Sequence, residues 1–367
     1  MLIYPEKKTS VVYRAKNSIF GYFAWPSICR DEEGTLYAVA SGFRMQHICP
    51  FGKTVMFISR DEGRIWSPPI VINDSILDDR DAGILHLGGG RLLVTWFSHP
   101  AHVYINRYYN SMKNSAKRHE AGALLGMLAA YPYIPAEEAA GGSFVMISED
   151  RGMSWSEPIK VPVSAPHGPN ICRDGTLIYL GKPMYSDEEP DEGIVAWAST
   201  DGGYTWSRRG YVPLPEGYQW SNFHEPHVLE LPDRSLLGAI RAQKLPHKPE
   251  MSIFTCSSTN GGMSWSTPEC IMVSGLPPHL LLHSSGAVIC SFARREPPYG
   301  ERAVISYDNG RSWTDEYVIT DDSQDWDIGY PATVELSDGS LLTAYYQRLK
   351  DDTKCSIVSS VWRLNKH

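Results

Sequence analysis

The chain has 367 residues, 42% hydrophobic and 21% charged, an ordinary balance for a globular protein with a large core. Its 34 Lys and Arg against 42 Asp and Glu give a formal net charge of −8, which argues against nucleic acid or an anionic membrane as the main partner. Seven scattered cysteines without C-x-x-C spacing argue against a disulfide framework or a zinc site.

The N-terminal "MLIYPEKKTSVVYRAKN" lacks the apolar core of a signal peptide. No apolar run approaches the roughly 20 residues that span a bilayer, so a cytoplasmic chain is expected. Within this stretch "SVVYRA" (Ser10–Ala15) reads as a lone strand. A strand–tight turn–strand pattern follows as "SICRDEEGTLYAVAS" and returns as "GILHLGGGRLLVTWF", "NICRDGTLIYLGK", "HVLELPDRSLLGAIR", "HLLLHSSGAVICSFA" and "ATVELSDGSLLTAYY". After five of these six hairpins comes an apolar run and then a turn of pattern S-x-D-x-G-x-x-W: "SRDEGRIW", "SEDRGMSW", "STDGGYTW", "STNGGMSW" and "SYDNGRSW". Glycine supplies positive φ there, and Asp or Ser can bond the local amides, so each is hairpin chemistry. The Trp can pack between neighbouring sheets.

The five tryptophans are 89, 51, 59 and 48 residues apart. The long first gap holds a segment rich in Ala, Met and Leu, expected as an insertion over about 99–142 with helix around 105–130. A lid, an oligomer contact or plain decoration are its open roles. Two hairpins per unit in five units, plus "CSIVSSVWRL" completed by the N-terminal strand, predict an all-β six-bladed propeller over 1–367 as a single domain. Closure removes the sheet edges that invite aggregation.

The repeated turn resembles the Asp box of the sialidase (neuraminidase) superfamily of BNR-repeat glycoside hydrolases, and the resemblance spans about residues 20–363. In that family the box is a structural hairpin away from the active site. The resemblance thus makes Asp61, Asp150, Asp201, Asn260 and Asp308 scaffold.

In a propeller the innermost strand of each blade lines the axis, and ligands bind at one mouth. Residues opening these strands include Trp25, Arg80, Asp81, His167, Glu225, His279 and Tyr330. Second strands end near Arg44, His99, Arg241, Arg294 and Arg295. "FHEPHVLELPDRSLLGAIR" resembles the family's glutamate strand followed by its arginine strand, which implies a base role for Glu225 and carboxylate binding for Arg241. "DIGYPATVELSDGSLLTAYY" resembles the nucleophile strand, implying Tyr330 as nucleophile. Arg294, Arg295 and Arg302 compete for the blade-five arginine. A neutral phenol suits attack beside a sugar carboxylate, and guanidinium groups clamp that carboxylate in a planar fork.

The chain departs from the family in blade one. Ala24 and Trp25 stand in "FAWP" where the family has an arginine, and the following loop "SGFRMQHICPFGK" lacks the family's acid. Asp81 and His47 are then the candidate proton donors, with Trp25 a stacking platform and Arg44, Arg80, His167 and His279 further substrate contacts. The expected ligand is a glycan or small sugar acid, with no cofactor and no metal. A uronic-acid hydrolase or lyase, or a non-catalytic carbohydrate-binding propeller, is the alternative.

Overall fold

Residues 2–185, 193–247 and 249–365 are described in the computed structural model of the chain. Its strands form six antiparallel blades of a β-propeller. From the axis outward, blade one is Tyr22–Arg30, Leu36–Arg44, Lys53–Ser59 and Ile70–Asn73. Blade two is Asp79–Gly88, Arg91–Ser98, Gly142–Ser148 and Ile159–Val161. Blade three is Asn170–Ile171, Leu177–Pro183, Val195–Ser199 and Ser207–Tyr211, with Val163–Ser164 added beside its second strand. Blade four is Phe223–Glu230, Leu236–Gln243, Met251–Ser258 and Glu269–Cys270. Blade five is Leu276–Leu282, Val288–Arg294, Gly300–Ser306 and Glu316–Val318.

Blade six closes the ring. Gly329–Glu335, Leu341–Arg348 and Cys355–Trp362 are completed by Lys7–Tyr13 from the other end of the chain, antiparallel with Val11 opposite Val358. The expected closing strand is therefore present, starting three residues earlier than the sequence suggested. A feature that the sequence did not reveal is Leu2–Ile3, which pairs in parallel with Glu316 and Tyr317 at the edge of blade five.

Side-chain alternation explains why the strands are apolar on both faces. In the second strand of blade one, Leu36, Ala38 and Ala40 pack toward blade six, while Tyr37 and Val39 pack toward blade two. The same division gives six apolar clusters, one for each interface between adjacent blades. The S-x-D-x-G-x-x-W turns seal five of them. Ser199 Oγ donates to Asp201 Oδ1 (2.7 Å), which also accepts the Thr205 amide (3.0 Å), and the Thr205 hydroxyl donates to Oδ2 (2.6 Å). Trp206 Nε1 donates to Gly203 O (2.9 Å), and its ring packs at the interface of blades two and three. Gly203 has φ +103°, and a Cβ there would lie 2.4 Å from Leu93 Cδ1 of the preceding blade. The box aspartates are spent on these turns; in the last one, the Ser312 hydroxyl and amide hold Asp308 down to about 2. The sixth interface has no such turn, and Trp362 fills it, its Nε1 donating to Thr343 Oγ1 (2.9 Å).

The insertion leaves blade two after Ser98 and returns at Gly142. It is helical, as expected, chiefly in Tyr109–Ser115 and Arg118–Ala130, with a π-helical turn at Tyr104–Tyr108. Tyr104, Met112, Leu128 and Tyr131 pack around Leu77, and Leu124 packs on Met45 and Cys49 of the blade-one loop. Lys354 Nζ also bonds Glu120 Oε1 (2.7 Å). The helices are thus built into the rim beside blades one, two and six. No helix among the described residues is long and apolar enough to cross a membrane.

Where the inner strands converge, three histidine rings from successive blades meet. His227 and His279 stack at 4.6 Å, and His167 stands edge-on to them at 5.8 and 4.9 Å. Burial pushes His227 down to about 4 and His167 and His279 well below the usual value, with neighbouring imidazoles adding to the effect for the latter two.

Two stability predictions follow from these contacts. Asp201→Ala removes three hydrogen bonds from a turn and should cost about 1–2 kcal/mol in denaturant unfolding, whereas Asp201→Asn should be near neutral. Blade four already uses Asn260, whose Oδ1 accepts the Ser264 amide at 3.0 Å; equal losses for the two variants would contradict the clasp. The buried histidines predict acid sensitivity. Unfolded histidines titrate near 6.5, so below that pH the unfolded chain takes up protons that the folded chain refuses. Stability is full above about 6.5 and falls toward 4, by roughly 3 kcal/mol for His227 at the acid limit. A melting temperature unchanged between pH 6.5 and 5 would rule this out.

Candidate active site

At one mouth of the axis the inner strands open with a shared irregularity. Strand register slips between Ala24 and Ser27, Arg80 and Gly83, His224 and His227, and Gly329 and Ala332. Each slip is a bulge, and the residue within it has a left-handed backbone: Trp25 (φ +54°), Asp81 (+52°), Glu225 (+44°) and Tyr330 (+54°). In blade three His167 also has a left-handed backbone (φ +71°), but its ring lies in the axial layer against His227 and His279.

Tyr330 Oη donates to Glu225 Oε1 at 2.8 Å across the mouth. Arg241 Nη1 reaches Glu225 Oε2 at 2.5 Å and Tyr330 Oη at 3.4 Å, while its Nη2 is held by Gln243 Oε1 (2.7 Å). Burial pushes the Glu225 carboxyl up, but the Arg241 guanidinium, the Tyr330 hydroxyl and His224 together outweigh it and keep it below the usual range. Burial and then the Glu225 charge push the Tyr330 phenol well above its ordinary value, so it stays neutral until a base takes its proton.

Arg295 completes this side. Its Nε donates to Ile328 O (3.0 Å), its Nη2 to Tyr346 Oη (3.3 Å), and its guanidinium lies 5.6 Å from the Tyr330 ring centre. Of the three competing blade-five arginines it is the one brought to the mouth. Arg302 is 1% exposed, and its guanidinium is spent on the carbonyls of Glu301, Pro298 and Thr320. Arg294 pairs in register with Gly300, and its charge acts on Arg302.

Opposite, Arg80 lies over the Trp25 ring at 4.1 Å and donates to Asp78 Oδ2 (3.1 Å) and His47 O (3.2 Å). Arg44 is fully buried and gives its guanidinium to Asp78, Ser41 Oγ and the carbonyls of His47 and Cys49, so it braces the rim instead of facing a ligand. Trp25 is only 1% exposed, with both of these arginines against its ring and His47 edge-on to it, so it has no open face for a sugar ring.

Asp81 is 7% exposed, and its Oδ1 has no hydrogen-bond partner among the described residues. Burial raises it to about 7; Arg80 opposes the rise and Glu225 adds to it. His47 stands at the rim with Nδ1 2.9 Å from Asp327 Oδ1 and 3.0 Å from Tyr22 Oη. Burial lowers its basicity although Asp327 opposes this. His167 and His279 do not reach the mouth. His279 sits two residues beyond Pro277 on its strand, as His227 does beyond Glu225, and both belong to the axial layer below.

Sequence reasoning missed Asp327, Tyr22 and Asp78. Asp327 accepts from Tyr22 (2.9 Å) and Tyr346 (3.2 Å) and holds His47; Asp78 anchors Arg44, Arg80 and Tyr104. "DWDIGY" and "DDRD" carried a signal for both, as carboxylates just ahead of an inner strand. Asp79, in the same run, is held by Asn73, Ser75 and Ser98.

This fold and mouth define a six-bladed propeller of the sialidase type. The model of the BNR repeat-like domain matches residues 107–343, and the chain belongs to that family. A Dyadobacter fermentans protein of unknown function superposes with TM-score 0.75 at 21% identity, covering 97% of this chain and 98% of its own. The intramolecular trans-sialidase of Ruminococcus gnavus superposes at 0.68 with 15% identity, covering 97% of each chain. The GH93 α-L-arabinofuranosidase of Fusarium graminearum superposes at 0.65 with 12% identity, covering 97% and 98%. At these identities the likeness is one of fold. Comparison with curated proteins gives no match.

The pairing of Asp81 with Glu225 can be read without a substrate. Carboxyl ¹³C shifts should show Asp81 titrating near pH 7 in the wild type. In Glu225→Gln it should titrate lower, because the negative charge that raises it is gone. An unchanged Asp81 titration would show that the two do not interact.

Proposed function

We propose that the protein is a glycoside hydrolase that removes a terminal sugar bearing a carboxylate, sialic acid or a relative, through a tyrosine nucleophile. The observation that carries this reading is the 2.8 Å hydrogen bond from Tyr330 Oη to an ionised Glu225 beside Arg241 and Arg295. Tyr330 Oη attacks the anomeric carbon while Glu225 takes the phenol proton. Arg295, with Arg241 behind it, holds the sugar carboxylate, which would repel a carboxylate nucleophile. Asp81 is the proton donor to the leaving oxygen. Its environment leaves it partly protonated near neutrality while that of Glu225 holds its neighbour ionised, the division of labour an acid–base pair needs. Water then attacks the glycosyl–tyrosine bond, Asp81 accepts its proton, and Tyr330 leaves with the proton returned from Glu225. His47, neutral at this pH, orients groups at the rim.

One observation favours a second substrate. Ala24 leaves the mouth end of blade one's inner strand without a cation, Arg44 is spent on Asp78 and on carbonyls of the rim, and Arg80 is bound to Asp78 and Trp25. A uronic acid, whose carboxylate lies away from the anomeric carbon, asks less of that side of the mouth.

Aryl α-sialosides and aryl uronides assayed side by side decide between the sugars. On the accepted one, Tyr330→Phe and Glu225→Gln should each lose at least about 100-fold in kcat. Asp81→Asn should lose far more on alkyl than on nitrophenyl glycosides, because a good leaving group needs no proton. His47→Gln should leave that ratio unchanged; if it were His47→Gln that changed the ratio, the donor would be His47. Intact turnover in Tyr330→Phe and Glu225→Gln would refute the mechanism, and sugar binding without any product would make the protein a lectin-like propeller.

A further inference from the structure

Beyond the histidine layer the axis opens again, at the far ends of the inner strands. A cavity of about 350 Å³ lies there, with His167, His227 and His279 at its buried end and the half-exposed Arg30 and Asn170 nearer solvent. Ile28, Ile84 and Val334 are among its apolar lining. That size is at the low end of small-molecule sites and roomier than a lone inorganic anion needs.

The backbone fixes what the histidines can offer. His227 Nδ1 accepts the Leu280 amide (2.9 Å) and His279 Nδ1 accepts the Thr333 amide (3.3 Å). In a neutral ring the proton must then sit on Nε2, and neither Nε2 has a partner among the described residues. A metal ion would need those nitrogens as lone-pair ligands, which this tautomer denies it. Arg30 Nε is likewise buried without a partner, although its Nη2 lies 3.5 Å from Glu62 Oε1, a long contact that leaves the rest of the guanidinium available. The acidic group lining the cavity is already occupied: Glu335 accepts from the Ser284 amide and hydroxyl and lies 3.3 Å from His283. His86, also in the lining, is paired with Glu32 at 2.7 Å. The spare N–H groups of His227, His279 and Arg30 are therefore donors, set among apolar walls; His167 Nε2, also without a partner among the described residues, can donate or accept, since the Ser27 hydroxyl beside its Nδ1 suits either tautomer.

We propose that this axial cavity is a second ligand site, for a carboxylate-bearing molecule of about monosaccharide size held by His227 and His279 Nε2–H and by Arg30. It uses no residue of the upper mouth, so it stands whether or not the protein hydrolyses a glycoside.

Calorimetric titration of D-glucuronate into Arg295→Met tests it, since that background weakens carboxylate binding at the upper mouth. Saturable binding is expected there. Adding Arg30→Met or His279→Phe should weaken it about tenfold or more, the worth of a hydrogen bond to a charged group. Glucose, without a carboxylate, should bind at least as poorly. If His279→Phe fails to fold, Arg30→Met, at a half-exposed position, carries the comparison alone. The proposal is overturned if glucuronate does not bind the Arg295→Met protein, if Arg30→Met binds it as well, or if glucose equals glucuronate. Loss of turnover with retained glucuronate binding would separate the fate of this site from that of the upper mouth.

Discussion

The mouth depends on one backbone device, the left-handed residue that opens an inner strand. Four non-glycine residues, Trp25, Asp81, Glu225 and Tyr330, hold φ between +44° and +54° at equivalent places. Each such residue costs of order 1–3 kcal/mol and persists only where its surroundings over-determine it. Here they do: on either side of each bulge the ladder resumes, as His224 opposite Arg241 and His227 opposite Ala239. Two residues on one strand, Glu225 and Pro226, then face one on the other, Ile240, so one of the pair is extra. In a regular strand Glu225 and His227 would lie on one face, about 6.8 Å apart along it. The bulge re-aims Glu225 within that spacing, so the carboxylate meets Tyr330 and Arg241 at the upper mouth while the His227 imidazole lies in the axial layer below.

The blades were legible because their signals are local. A Ser, an Asp and a Gly at fixed offsets make the same turn wherever they occur, and the Trp after them has one place to go. The N-terminal strand was legible by elimination, since blade six lacked a fourth strand. The bulged residues could be picked out as polar or aromatic groups at strand starts, which is why Glu225, Arg241 and Tyr330 fell together in the structure. What local pattern could not supply was which charges neutralise which. Arg44, Arg302 and Arg295 look alike as strand-end arginines, yet two are consumed by Asp78 and by backbone carbonyls. The partners are remote in sequence: Asp78 is 34 residues from Arg44, and Asp327 is 280 from His47. The axial histidines misled for a related reason. His279 lies two residues past the bulge position, and sequence shows the strand start without the register slip that splits it into layers.

The charge arrangement then bears on the ligand. Four guanidiniums, Arg44, Arg80, Arg241 and Arg295, surround the mouth. Three ionised carboxylates answer them: Asp78 binds Arg44 and Arg80, Glu225 binds Arg241, and Asp327 is bonded by His47 and two tyrosines. Asp81, near its midpoint at neutral pH, contributes a fraction of a charge at most. The surplus is about one positive charge, and Arg295 is the guanidinium without a carboxylate partner among the described residues. In a buried setting a cation without a carboxylate of its own is costly; burial pulls Arg295 down, and Tyr346, Tyr330 and Glu225 more than offset it, so the guanidinium stays charged. An arriving anion relieves that cost where a neutral sugar would not. In the mechanism proposed above, the same surplus stabilises the Tyr330 oxygen as its proton leaves, so the group proposed to hold an acidic sugar would also assist the proposed nucleophile.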